Sequence, residues 1–246
     1  MTKIEWTDKT WNPVTGCTKC SPGCENCYAE KMHKRLQAMG IPKYKHGFSW
    51  VCSHRGSLEE PYYWQKPKKV FVCSMSDLFH EQSDLFFVEE VMNVIYYTPR
   101  HTYQILTKRP ERMKFFFKNS PYANMDNLWL GVTVCNQAEA DEKIPILLDT
   151  PAKVRFVSVE PMLEEIGLRP FIRGLVTNYQ NRHYLDWVIC GGETGANARS
   201  MHPDWARALR DQCKSSGVPF FFKQMAKKQP IPDDLLVREF PKGGNT

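Results

Sequence analysis

Four thiols stand close together in this sequence of 246 residues, at Cys17, Cys20, Cys24 and Cys27. The other five of its nine cysteines, Cys52, Cys73, Cys135, Cys190 and Cys213, are scattered, and Cys73, Cys135 and Cys190 sit in or beside apolar runs. A free thiol in such a run behaves as a small hydrophobe. The clustered four need another account. An odd total, and an N-terminal Met1–Asp8 stretch without an apolar core, argue against a secreted disulfide framework. Crowded thiolates serve metals. Cys20, Cys24 and Cys27 make the spacing C-x3-C-x2-C, and thiolates gathered in one loop can hold an iron–sulfur cluster. A zinc-stabilised, non-catalytic nucleic-acid-binding protein is the alternative, because Zn²⁺ takes closed four-thiolate sites. Those sites generally join two separated C-x2-C knuckles, whereas this cluster is compressed into one loop.

A second set of chemical groups recurs along the chain. Short apolar runs, each followed by a polar cluster, occur at Lys69–Cys73, Tyr103–Leu106, Leu128–Val132, Val154–Val157, Trp187–Cys190 and Val218–Phe222. The clusters are Ser74–Asp77, Thr107–Arg109, Thr133–Asn136, Ser158–Pro161, Gly191–Thr194 and Lys223–Gln224. If each run is a strand, the six clusters lie at the carboxyl ends of neighbouring strands. They would then ring one polar pocket with Asp77, Lys108, Asn136, Glu160, Glu193 and Lys223.

The elements that would hold these groups alternate. Near-continuous apolar runs suit strands covered on both faces, as in a parallel sheet, and a further strand is expected within Thr10–Thr15, just before the thiols. Helices are expected at Glu30–Met39, Phe86–Tyr97, Pro110–Lys118, Gln137–Leu148 and Pro203–Ser216, the third opening on a proline suited to a first turn. The fold class is therefore α/β, a partial or complete (β/α) barrel of mostly parallel strands, with functional groups at the carboxyl ends. One domain is expected over 1–228, with insertions at about 40–68 and 169–184 and a loosely ordered tail at 229–246.

The thiol loop follows the first strand and precedes the first helix, where radical S-adenosylmethionine (SAM) enzymes carry theirs, and it resembles their cluster loop. Ile4–Thr7, Trp11–Cys17, Ser21–Cys24 and Cys27–Glu30 further resemble a phage- and prophage-associated family of radical-SAM-like proteins of unknown function, as do Ser74–Phe79, Leu106–Arg109, Ser158–Pro161, Gly191–Glu193 and Phe222–Gln224. The likeness spans nearly the whole chain. It implies a barrel of the radical SAM type with a 4Fe–4S cluster and SAM as cofactors, fed by an external electron donor. The family pattern places its cysteines at Cys17, Cys24 and Cys27, whereas spacing alone points to Cys20 in place of Cys17; Asn26 stands where an aromatic residue commonly precedes the last ligand. The resemblance implies cofactor-binding roles for Ser74, Ser76 and Asp77 at the SAM amino group. Asn136, Gly191, Gly192 and Glu193 join them as cofactor-binding candidates, and Lys108, Glu160, Glu193 and Lys223 are the candidate catalytic residues.

Composition sets bounds on partners. Charged residues make up 24% and hydrophobic ones 42%, and no run nears the ~18 apolar residues of a membrane span. A cytoplasmic protein is expected. A net charge of +6 is compatible with an anionic partner. Lys108, Arg109 and Lys223 at strand ends suit phosphate, and the aromatics Tyr44, Phe48, Trp50, Tyr62, Tyr63 and Trp64 suit base stacking. A nucleotide or nucleic-acid substrate is the leading expectation, and a small metabolite or peptide the other.

Overall fold

The computed structural model describes residues 4–173 and 183–241. In chain order the elements are β1 (Lys9–Trp11), β2 (Val14–Thr15), α1 (Tyr28–Ala38), β3 (Cys52–Ser53), β4 (Lys69–Val72), α2 (Leu85–Tyr97), β5 (Thr102–Thr107) and α3 (Pro110–Phe117). There follow β6 (Leu128–Val134), α4 (Gln137–Leu148), β7 (Val154–Val159), β8 (Trp187–Gly191), α5 (Pro203–Ser216) and β9 (Phe220–Gln224). Seven strands form one sheet in the order β1-β4-β5-β6-β7-β8-β9, all neighbours parallel. No pairing joins β9 to β1 among the described residues, so the barrel is partial.

Alternation along each strand divides the side chains. Val70, Val72, Leu130, Val132, Val157, Val188 and Phe222 enter a core shared with Val88, Val91, Ile144 and Leu209 of the helices. Phe71, Trp129, Phe156, Trp187 and Phe221 point the other way and pack with Trp6. The Trp6 ring centroid lies 4.7 Å from Phe71 on β4 and 6.2 Å from Trp187 on β8. Those strands are four steps apart, about 19 Å in a flat sheet at the usual strand spacing. One indole touches both because the sheet curls. The curl makes the inward side concave, with an aromatic floor.

Several expectations are refined. The strand expected within Thr10–Thr15 is two short ones, because β2 leaves the main sheet to pair antiparallel with β3. The 40–68 insertion supplies β3 and a series of single 3₁₀ turns. Most of the 169–184 insertion lies outside the described residues. The tail expected to be loose is not so in its described part. Phe222 N donates to Val237 O and Glu239 N to Phe220 O, which covers the outer edge of β9, and Leu235 is fully buried. Residues 242–246 lie outside the described residues. No described helix is long and apolar enough to cross a membrane.

The turn into the thiol loop is tightly built. Gly16 has φ +90°, and a Cβ there would stand 2.1 Å from the Trp50 carbonyl oxygen. Its N–H donates to Met75 O, and Cys17 N donates to Phe48 O at 2.8 Å. Gly16→Ala should therefore destabilise the fold by about 2–4 kcal/mol through strain and clash; a melting temperature equal to that of the parent protein would contradict this packing. Beneath the same turn, Thr15 Oγ1 and His54 Nε2 are 2.7 Å apart. Burial, helped by the Lys43 charge, pushes His54 down to about 4. Its imidazole is thus neutral in the folded chain and charges on unfolding below about 6.5. That stability is complete above about pH 6.5 and is lost as pH falls toward 4. The drop in melting temperature between pH 7 and pH 5 should be smaller in His54→Gln than in the parent; equal drops would exclude His54 as a source.

Candidate active site

Past the aromatic floor, the inward positions turn polar at the strand ends. Lys108 after β5, Thr133 on β6, Ser158 on β7 and Lys223 on β9 line a cavity of about 510 Å³. Cys17, Cys24 and Cys27 belong to its wall, while Cys20 is exposed and outside it. Spacing alone favoured Cys20; the cavity takes in the other three.

Two arginines fix the thiol loop. Arg109 donates to Cys17 Sγ at 3.8 Å and to Thr18 O at 3.2 Å, and its Nε reaches both oxygens of Glu81. Arg199, which precedes α5, donates to Pro22 O at 3.0 Å and pairs with Glu25 and Glu193. His80 Nε2 and Thr18 Oγ1 add a contact of 2.7 Å. Arg199 carried no mark in the sequence, since it lies in a polar stretch that reads as an ordinary loop. Lys228 also lines the cavity and stands in the segment just before the tail, where no motif points to it.

The thiols are not alike. Interaction with the neighbouring Cys20 thiol pulls Cys24 below the usual thiol range; burial opposes, and the Lys108 charge helps. The same interaction, with burial, raises Cys20. Cys17 is pushed up to about 11 by burial and the neighbouring Asp77, with Arg109 opposing. A low-pKa thiol is the more ready ligand and nucleophile. Among the described residues no three His, Cys, Asp or Glu side chains converge on one ion-sized point. Three thiols on the wall of one polar cavity match the donor type and number of a three-thiolate 4Fe–4S site.

The remaining candidates divide into structural and available groups. Asp77 is saturated: it accepts from Phe79 N, Thr107 Oγ1, Lys108 N and Arg109. Ser74 Oγ donates to Asn12 Oδ1, and Ser76 Oγ to Val14 O. Glu193 is 7% exposed and accepts from Asn26 and from Arg199 N, Nε and Nη2. Burial works to raise it, but the Arg199 and Asn26 bonds hold it below the usual carboxylate range. Asn136 is not in the cavity wall; its side chain accepts from Glu139 N and caps α4. Gly192 packs its backbone against the chain itself, since a Cβ would meet Ala226 N at 2.2 Å, and a Cβ on Gly191 would meet Glu160 Oε1. Glu160 and Lys223 form an ion pair of 2.9 Å, although Glu160 Oε1 is buried without a well-aligned hydrogen bond.

Two of the three strand-end cations are paired from within the chain. Arg109 is bound to Asp77 and Glu81, and Lys223 to Glu160. Lys108 is without a carboxylate partner among the described residues, and so is Lys228.

A family model covers residues 1–236. The chain belongs to the DUF5131 family, proteins of unknown function. No curated protein matches this DUF5131 member. Among solved structures it is similar to a spore photoproduct lyase complexed with dinucleoside spore photoproduct, at 10% identity and a TM-score of 0.44. That alignment covers 85% of this chain and 53% of the lyase, so the chain spans about half the length of that relative.

Proposed function

We propose that this protein is a radical SAM iron–sulfur enzyme whose cluster is held by Cys17, Cys24 and Cys27. The observation that carries the reading is that these three thiols share one cavity with the polar ends of a curled parallel sheet, while Cys20 stays outside. When bound, the cluster would pass an electron from an external donor to the sulfonium of SAM, giving methionine and a 5′-deoxyadenosyl radical that takes a hydrogen atom from substrate. The chain's own residues bind and orient. Lys108 supplies positive charge beside Cys24 and has no competing carboxylate among the described residues. Glu160 pairs with Lys223 through Oε1 and accepts from Ser158 Oγ through Oε2, so the two charged groups hold one another in the cavity wall. Ser74, Ser76 and Asp77 shape the wall through hydrogen bonds within the chain, and Gly191 and Glu193 support the adjoining strand end. All nine cysteines are free thiols, which suits a reducing, cytoplasmic setting.

For the substrate we favour a nucleotide or nucleic acid. Trp50 is 63% exposed and stacked on His46 at 5.5 Å, its backbone packed on the Gly16 turn, next to the cavity-lining Phe48. An indole held flat in this way is a surface for a base. Tyr44 and Trp64 are buried and do not contribute. The ion pairing of Arg109 and Lys223 favours the second reading, a small metabolite or peptide, because it removes two of the cations that phosphate would use.

Anaerobic reconstitution with iron and sulfide should give a brown protein with about four irons per chain, and addition of SAM and a reductant should yield 5′-deoxyadenosine. Cys17→Ala, Cys24→Ala and Cys27→Ala should each remove the colour, and Cys20→Ala should keep it. Full iron in Cys24→Ala or Cys27→Ala, or a colourless zinc protein, would overturn the assignment. A short single-stranded oligonucleotide should bind, and Trp50→Ala should weaken it at least about fivefold, the low end of one base–aromatic stack. If no nucleotide or oligonucleotide binds more tightly than ~1 mM at low salt, where phosphate contacts are strongest, the small-molecule reading takes its place.

A further inference from the structure

Arg109 stands out because its whole guanidinium is committed. It is 6% exposed and sits just past β5, at the first turn of α3. Nε reaches Glu81 Oε1 at 2.7 Å and Oε2 at 2.8 Å, and Nη1 reaches Asp77 Oδ2 at 3.2 Å. That leaves one direction for the thiol loop. There Nη1 meets Cys17 Sγ at 3.8 Å, and Nη2 meets Thr18 O at 3.2 Å and Thr18 Oγ1 at 3.1 Å. The five N–H groups of a guanidinium are coplanar, so carboxylates on one side dictate where the other side points. Asp77 is itself fixed by Phe79 N, Thr107 Oγ1 and Lys108 N. The orientation of Cys17 is thus inherited from the ends of two strands. Cys20, three residues on, is exposed and has no such hold.

We propose that Arg109 is a positioning residue that presents Cys17, in preference to Cys20, as the third cluster ligand and sets the reduction potential through its hydrogen bond to the Cys17 sulfur. The inference rests on the iron–sulfur reading above. A cationic donor to a ligating sulfur withdraws charge from the cluster and makes the reduced form easier to reach; hydrogen bonds to sulfur are among the levers that fix such potentials. Lysine is a point charge without the planar fork and cannot satisfy Glu81, Asp77, Cys17 and Thr18 together.

The test compares the full-length protein with Arg109→Lys and Arg109→Gln after anaerobic reconstitution, each alone and combined with Cys17→Ala or Cys20→Ala. Iron per chain and the midpoint potential, followed by electron paramagnetic resonance (EPR), are the readouts. In the parent, Cys17→Ala should lose the cluster and Cys20→Ala keep it. In either Arg109 variant that contrast should shrink, with Cys20→Ala now costing at least half of the iron, and the potential should move to more negative values. Thr18→Val, on a half-buried side chain, loosens the same hold while leaving the charged partners in place. It should shrink the contrast in the same direction, and it carries the test if circular dichroism finds the Arg109 variants unfolded. An unchanged cysteine contrast in the folded variants overturns the positioning role, and an unchanged potential in a folded Arg109 variant overturns the tuning role. Absence of any cluster in the parent would instead sink the iron–sulfur reading itself.

Discussion

The ion pair between Asp77 and Arg109, both 6% exposed, joins three segments that are far apart in sequence: the end of β4, the end of β5 and the thiol loop. Removing two charges from water is costly, and such a pair persists only when further hydrogen bonds satisfy both partners. Here they do. Asp77 takes three additional donors, and Arg109 reaches Glu81, Thr18 and Cys17. Loss of either partner alone would leave a buried charge uncompensated, a defect worth about 3–5 kcal/mol. Burial works against the Arg109 charge, yet Glu81 and Asp77 hold its pKa above the ordinary arginine range. The charge is thus fixed beside the thiols.

A second clamp acts from the far side of the sheet. Glu193, just after β8, orients Arg199, which holds Pro22 O and Glu25, while Asn26 donates to Glu193 directly. The thiol loop is therefore tied to strand ends on both sides of the cavity. This arrangement works only because the sheet curls, and the curl depends on the inward aromatics. Trp6, Phe156 and Trp187 fill the concave side and lift the polar layer to the strand ends. Packing below and ion pairs above together fix the place of the cavity.

Much of this architecture was legible in the sequence for a simple reason. Strands of a covered parallel sheet are apolar on both faces, so runs such as Leu128–Val132 and Trp187–Cys190 announce themselves. The polar residues after them were legible as a set and not one by one. Asn136 has the chemistry of a ligand and of a helix cap, and the two cannot be told apart without coordinates. Asp77 and Glu193 have the chemistry of binding groups, yet their acceptor sites are filled from within the chain. Arg199 and Lys228 lacked any periodic or motif context. Partner choice among Arg109, Lys223 and three carboxylates depends on ångström-scale geometry, and composition does not carry it. The pairing of Val237 and Glu239 with the edge of β9 was not legible, because the prolines around them read as loop.

The central claim is that Cys17, Cys24 and Cys27 would hold a 4Fe–4S cluster able to take SAM as a further ligand. EPR of the reconstituted, chemically reduced protein, recorded with and without SAM, tests this most directly. The account predicts the signal of a one-electron-reduced 4Fe–4S cluster whose g-values change when SAM binds. A cluster signal that SAM leaves unaltered, or a reconstituted protein with no such signal, would contradict it.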